Sequence, residues 1–270
     1  MLNKINETVS FLNEKGFNNP EIGIVLGTGL GQLINEIEVE HSIDYSEIPH
    51  FPEATVEFHS GKLILGTLEN KKVVVMQGRF HMYEGYSFEE ITYPIRVFKK
   101  LGVSTLLLSN AAGAINLDYK KSDLMLIDDH INLQGGSPLL GKNIDELGPR
   151  FVDMAEPYSI KLNNILKDVA NHQNIQLHEG VYVSVVGPQL ETRAEYRYLG
   201  RIGADAVGMS TVPEVIVANH MNLPCAAVSV LTDECDPDNL QKVKIEEIIE
   251  AANQAEPKMI ALFKGLIQKL

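Results

Sequence analysis

The stretch Gly78 to Tyr86 reads GRFHMYEGY and follows an apolar run, KKVVVMQ. Arg79, His81 and Tyr83 alternate, so an extended backbone would turn all three to one side. A cation, a titratable imidazole and a phenol together form a grip for an anion with a polar body attached. A strand end surfacing into solvent accounts for the same residues equally well. GTGLG, Gly27 to Gly31, is a second candidate anion loop. Its glycines let backbone N–H groups turn toward an anion, and Thr28 adds a hydroxyl donor. Gln32 stands where a dinucleotide fingerprint would carry its third glycine, and no Gly-Lys-Ser/Thr follows to make a P-loop. A plain strand-to-helix turn is the competing explanation.

Three other stretches have the same double meaning. In SNAAGAIN, small residues from Asn110 to Ala112 leave backbone N–H groups open to an oxyanion, or else pack tightly beneath a loop. VGPQLETRAEY puts Glu191 at a helix start, where the dipole favours a carboxylate whatever its role. DAVGMSTVPEV puts Met209 and Ser210 at a strand-to-helix junction. Ser210 or Thr211 suits an N-cap there, and Pro213 suits a first turn. The histidines form no HxxxH or HxxEH pattern, and there is no CxxC or GxSxG. His130, in DDHINLQGG, reads as a satisfied structural histidine.

The elements that must position these residues alternate along the chain. Helical patterns fall on the first fifteen residues, SFEEITYPIRVFKKLG, YSIKLNNILKDVANHQ, LETRAEYRYLGRIG, STVPEVIVANHMN and the C-terminal segment from Ile245. QLINEIE suits a short helix. Ser87 with Glu90 makes a capping box, Gly102 a terminator, and Pro94 a kink. Strand patterns fall on EIGIVLG, KLILGTLENKKVVVMQ (a hairpin), VSTLLLSN, DLMLIDD, GVYVSVVGPQ, DAVGM and LPCAAVSVLTD. Strands apolar throughout and separated by helices predict an α/β sheet covered on both faces. Ligands gather at the carboxyl ends of such strands. Those ends carry Thr28, Arg79, Asn110, Glu191, Ser210 and Asp233.

The chain of 270 residues is 44% hydrophobic and has no linker-like or low-complexity segment, so a single domain over residues 1–270 is expected. A net charge of −13 argues against nucleic-acid or anionic-membrane partners. No apolar run approaches the ~20 residues that cross a bilayer, and the first residues lack a signal peptide's apolar core. Two cysteines, Cys225 and Cys235, support no disulfide scaffold, and a cytoplasmic setting is expected.

GTGLG, FHSG, MQGRFHMYEGY, SNAAGAIN, DHINLQG, GPRF, VVGPQLET and VGMSTVPEVIVA occur in this order over nearly the whole chain. That ordered set resembles the trimeric purine nucleoside phosphorylase family, close relatives of methylthioadenosine phosphorylase. The resemblance implies one α/β domain around a mixed, twisted, partly barrel-like sheet flanked by helices, and a homotrimer. It implies attack of inorganic phosphate on the anomeric carbon of a purine nucleoside, with no metal or organic cofactor. Carried over by position, Thr28, Arg79, His81, the Ala111 N–H and Ser210 would hold phosphate, and His59 would sit on a loop closing over it. Tyr83 and Met209 would lie against the sugar, and Leu190, Glu191 and Asp233 at the base. Phe151 would reach a neighbouring subunit's site. Glu191, Asp233 and His81 would be the catalytic groups.

Two positions depart from the pattern. Asp233 stands where enzymes acting on 6-oxopurines usually carry Asn, and an ionised Asp can only accept. Leu190 replaces a usual aromatic residue. Glu191 nonetheless fits the 6-oxopurine branch, and the expected activity is phosphorolysis of inosine or guanosine, in ribo or deoxyribo form. Methylthioadenosine or adenosine phosphorylase is the alternative. A dinucleotide-dependent oxidoreductase rests on GTGLG alone, and a non-catalytic nucleoside binder would need no phosphate grip.

Overall fold

Two long, almost wholly buried strands, β5 (Thr105–Ala114) and β9 (Cys225–Glu234), run parallel at the centre of the molecule. The computed structural model describes residues 1–53, 55 and 61–270. Among these, the remaining strands are β1 (Ile22–Val25), β2 (Glu38–Asp44), β3 (Lys62–Leu68), β4 (Lys71–Gln77), β6 (Leu124–Asn132), β7 (Leu177–Ser184) and β8 (Ala206–Gly208). The sheet order is β2-β3-β4-β1-β5-β8-β7-β6-β9, and β9 also pairs with β5. That extra pairing closes β5, β8, β7, β6 and β9 into a ring, while β2, β3, β4 and β1 extend from it as an open wing. Both parallel and antiparallel pairs occur: β1 lies parallel to β4 and β5, and β3 antiparallel to β2 and β4.

Helices cover both faces. Along β5, Leu106 and Leu108 join a core with α1 (Leu2–Glu14), α2 (Phe88–Leu101) and α5 (Val212–His220). Leu107 faces the other way, toward α3 (Ile160–Gln173) and α6 (Ile245–Ile267). Each fully buried Leu, Val or Phe in these layers contributes about 1.5–3 kcal/mol. A smaller cluster packs α4 (Arg193–Arg201) on β7 and β8 through Tyr196, Leu199, Val183 and Val207. No described helix is long and apolar enough to cross a membrane.

The local chemistry of the ends sets most boundaries. The Ser87 hydroxyl accepts from the Glu90 N–H, the Glu90 carboxylate accepts from the Ser87 N–H, and Gly102 at φ +112° ends α2. The helix runs on through Pro94. Glu69 and Asn70, at φ +48° and +62°, make the two-residue turn between β3 and β4.

Four local expectations change. QLINEIE forms a 3-10 turn, Gln32–Glu36, rather than an α-helix. β2 is a strand at the sheet edge whose residues are nearly all exposed, so it lacks the apolar alternation that marks strands in sequence. SNAAGAIN is not a loop: β5 continues through Ala114, sheltered by pairing with β9. Helix α4 begins at Arg193 with Thr192 as its cap, so Glu191 lies just outside it.

Candidate active site

One cavity of about 330 Å³ opens at the carboxyl ends of β1, β4, β5, β8 and β9. Thr28, Arg79, His81, Tyr83, Ala111, Leu190, Glu191, Met209, Ser210 and Asp233 all line it. Two further residues are expected at such a site, Phe151 at a neighbouring subunit's. His59 lies outside the described residues. Phe151 is 88% exposed and is not part of the lining of this chain's cavity.

Arg79, His81 and Tyr83 reach the cavity by a route that strand alternation does not describe. β4 ends at Gln77, Gly78 turns the chain at φ +104°, and Met82–Glu84 form a single 3-10 turn. Arg79 is 1% exposed. Its Nε donates to Glu214 Oε1 at 3.1 Å and its Nη1 to the Ser109 carbonyl at 2.5 Å. Glu214 comes from the first turn of α5, so a buried cation is paired where a carboxylate is already favoured. His81 caps the small turn. Glu84 accepts from the His81 N–H at 2.8 Å and lies 3.0 Å from its Nδ1. A carboxylate beside Nδ1 favours a proton on that nitrogen and orients the ring. Burial pushes the Glu84 carboxyl up, but the hydrogen bonds from His81 and Thr55 outweigh it and leave the pKa below the ordinary value. The Tyr83 ring stacks on His81, with centroids 4.6 Å apart, and burial pushes its hydroxyl up to about 12.

Ser210 sits between β8 and α5, on a junction held from three sides. Its N–H donates to the Tyr182 hydroxyl at 3.3 Å, and its hydroxyl lies 3.2 Å from that of Thr211. Gly208 makes room, because a Cβ there would overlap the Tyr182 hydroxyl. Thr211 is the N-cap residue of α5 yet caps nothing with its side chain. It is held at φ +69° and ψ −51°, the centre of a γ-turn closed by the Val212 N–H on the Ser210 carbonyl, a positive-φ conformation that costs a β-branched residue of order 1–3 kcal/mol. Asn110 Nδ2 donates to its hydroxyl at 2.9 Å and fixes it against β5. Buried Gln134 donates to the Met209 carbonyl at 3.2 Å, and the Met209 side chain occupies the space a Cβ on Gly187 would fill.

At the other end of the cavity two carboxylates stand near each other. The β5–β9 register shifts between Ala112 and Gly113, so that Leu231 faces Ala112 and Asp233 faces Gly113. Thr232 is the extra residue, and this bulge turns consecutive residues Thr232 and Asp233 into one cavity. The Thr232 hydroxyl donates to Asp233 Oδ1 at 2.9 Å, and the Cys235 thiol to Oδ2 at 3.2 Å. Burial raises the Glu191 carboxyl above its ordinary pKa; its hydrogen bond with Tyr196 opposes this and the nearby Asp233 adds to it. Tyr196 also contacts Cys235, and both hydroxyl and thiol are pushed well up, first by burial. The thiol serves here as the donor to Asp233.

Sequence reasoning did not find Tyr196, Cys235, Glu84, Glu214 or Gln134: Glu214 and Gln134 act through contacts far apart in the chain, and Glu84 and Cys235, near their partners in sequence, meet them only through a 3-10 turn and a bulge that no local pattern announces. Tyr196 had one signal, its place beside Leu199 on the buried face of an amphipathic helix. His130 pairs with the Tyr158 hydroxyl at 3.1 Å and does not line the cavity. No three His, Cys, Asp or Glu side chains among the described residues are grouped to hold a metal ion.

Residues 21–268 match the family model described as the phosphorylase superfamily. The chain is 47% identical to purine nucleoside phosphorylase 1 of Geobacillus stearothermophilus, over 98% of this chain and 97% of that one. It superposes with TM-score 0.95 on isoform 2 of purine nucleoside phosphorylase from Schistosoma mansoni, solved with cytosine and ribose-1-phosphate, at 41% identity over 99% of this chain and 96% of that one. A Schistosoma mansoni purine nucleoside phosphorylase solved with adenosine matches with TM-score 0.93 at 40% identity, over 98% and 96% of the two chains.

Proposed function

Since the chain belongs to the phosphorylase superfamily, and within it to the purine nucleoside phosphorylases, we propose that its cavity binds inorganic phosphate and a 6-oxopurine nucleoside, inosine or guanosine in ribo or deoxyribo form, and exchanges the purine for phosphate. The observation that carries this reading is the union, in one cavity, of a cationic and hydroxyl-rich end with an end bearing two carboxylates. A solved relative holds ribose-1-phosphate, the sugar product of this reaction, which supports the assignment.

Phosphate sits against Thr28, Arg79, His81, the Ala111 N–H and Ser210. The sugar lies between Tyr83 and Met209, and the purine between Leu190, Glu191 and Asp233. As the bond from the anomeric carbon to the purine nitrogen breaks, its electron pair leaves with the base. The carbon becomes positively charged beside the phosphate, one of whose oxygens then forms the new bond. Groups already fixed at both ends lower the barrier without reorganising. His81, held by Glu84, steadies the phosphate; Glu191 accepts from the purine N1–H; Asp233 meets the base at its 6-substituent or N7 edge. Phosphate is the co-substrate, and no other cofactor enters this scheme.

Adenosine or methylthioadenosine is the second reading, and Asp233 is the observation that favours it. Both of its oxygens accept hydrogen bonds from Thr232 and Cys235, so it presents an acceptor surface suited to a 6-amino group. Ile245 and Ile248 line the same cavity with apolar surface, which suits a less polar sugar substituent. The deciding experiment measures kcat/KM for inosine, guanosine, adenosine and methylthioadenosine, with and without phosphate. A preference beyond about tenfold, ~1.4 kcal/mol, for either adenine nucleoside would overturn the 6-oxopurine assignment. Base release independent of phosphate would overturn phosphorolysis.

The proposed assembly is a homotrimer of cytoplasmic setting. Leu140 and Phe151, 74% and 88% exposed, are joined through Arg150, which donates to the Leu139 and Gly141 carbonyls. Large apolar side chains displayed together in this way suit contact with a second copy.

A further inference from the structure

The GTGLG turn leaves β1 and carries Thr28 into the cavity, so what holds this turn holds the hydroxyl. Three surfaces press on it. A Cβ on Gly27 would come within 2.7 Å of the Asn110 Cα on β5, one on Gly29 within 3.0 Å of the Ala252 Cβ on α6, and one on Gly31 within 3.6 Å of Gln77 at the end of β4. The turn then enters the 3-10 segment Gln32–Glu36. The first N–H groups of such a segment have no partner inside it, and its N-cap, Gly31, has no side chain to offer.

Glu256 supplies the missing acceptor from α6. The Gln32 N–H donates to its Oε1 at 2.6 Å, and the Leu33 N–H and the Gln32 side chain also act on this carboxylate. Glu256 is 0% exposed, and its Oε2 has no hydrogen-bond partner among the described residues. Burial raises its pKa, against the pull of those N–H groups. A carboxylate in such a place carries a desolvation cost that an apolar residue would avoid, and ionisable groups kept at that cost cluster at working sites. The same helix lines the far end of the cavity through Ile245 and Ile248 in its first turn.

We propose that Glu256 is a positioning residue for phosphate: it clamps the segment behind Thr28 to α6, and so ties the phosphate end of the cavity to the helix that borders its nucleoside end. This rests on the phosphate seat assigned above. The test uses Glu256→Met, which keeps the length and bulk without the acceptor, and Glu256→Gln, which keeps an acceptor oxygen. Each is made alone and with Thr28→Ala, and phosphate KM, nucleoside KM and Tm are measured. Glu256→Met should raise phosphate KM about tenfold while nucleoside KM stays within about twofold, and Glu256→Gln should restore most of the loss. With Thr28→Ala present, Glu256→Met should add little, because the two act through one contact. Equal effects of Glu256→Met in both backgrounds, an unchanged phosphate KM, or parallel rises in both KM values would overturn the proposal. If Thr28→Ala raises phosphate KM and Glu256→Met does not, only the clamp fails. If neither raises it, the phosphate seat fails with it.

Discussion

At the scale of single residues, the cavity is tuned by what each titratable group touches. In the proposed complex Glu191 must be ionised to accept from the purine N1–H, and burial raises its pKa. The acid limb of kcat/KM for inosine is therefore expected above the ordinary carboxylate range, and Glu191→Gln should abolish that limb and lower kcat/KM by about 100-fold. A limb unchanged in the variant would assign the titration to another group. Glu84 has the opposite sign, its folded pKa lying below the ordinary value. Its contribution to stability is present above the unfolded pKa and is lost as pH falls through the folded one. Because Glu84 also orients His81, Glu84→Gln should raise phosphate KM about tenfold with nucleoside KM little changed. Steady-state kinetics with each substrate varied in turn would separate the two.

At the scale of elements, some devices serve stability and others aim side chains. The Ser87–Glu90 capping box lies at the start of α2, and neither residue lines the cavity. Ser87→Ala should cost about 1 kcal/mol, read as a fall in Tm, with kcat/KM for nucleoside unchanged. The β5–β9 bulge is of the second kind. A Cβ on Gly113 would lie 2.5 Å from Cys235 Sγ and 3.0 Å from Asp233 Oδ2. Gly113→Ala should therefore displace the thiol and the carboxylate together, lowering kcat/KM for nucleoside at least about tenfold at a stability cost of about 1–3 kcal/mol. Full activity in a folded Gly113→Ala protein would show that the Cys235–Asp233 contact does not position the base.

At the scale of the whole molecule, closure of the β5-β8-β7-β6-β9 ring brings together groups that the chain order separates. Thr28 and Arg79 come from the open wing, and Ser210 and Asp233 from the ring; β5 is the strand that belongs to both. In the proposed trimer the exposed Phe151 would extend this logic beyond one chain. Sedimentation of the intact protein should give a trimer, and Phe151→Ala should weaken nucleoside binding while leaving this chain's own cavity intact. A monomer with full activity would contradict the assembly.

Much of this was legible from the amino acids alone. Apolar runs marked every buried strand, caps and glycines marked the ends of α2, and the ordered motifs marked which strand ends face one another. The edge strand β2 escaped because it is exposed on both faces, which leaves no apolar rhythm to read. The tertiary structure alone decided which side chain supports which: Glu214 under Arg79, Glu84 behind His81, Asn110 against Thr211, Cys235 beneath Asp233, Glu256 behind the Thr28 turn. Hydrophobic patterning is a local property written along the chain, whereas Glu214 and Arg79, Asn110 and Thr211, or Glu256 and Gln32, each pair more than a hundred residues apart, meet only when the sheet closes and the donors and acceptors buried with it must be satisfied; Glu84 and Cys235 lie three and two residues from the groups they support, and there it is the 3-10 turn and the bulge that bring them into contact.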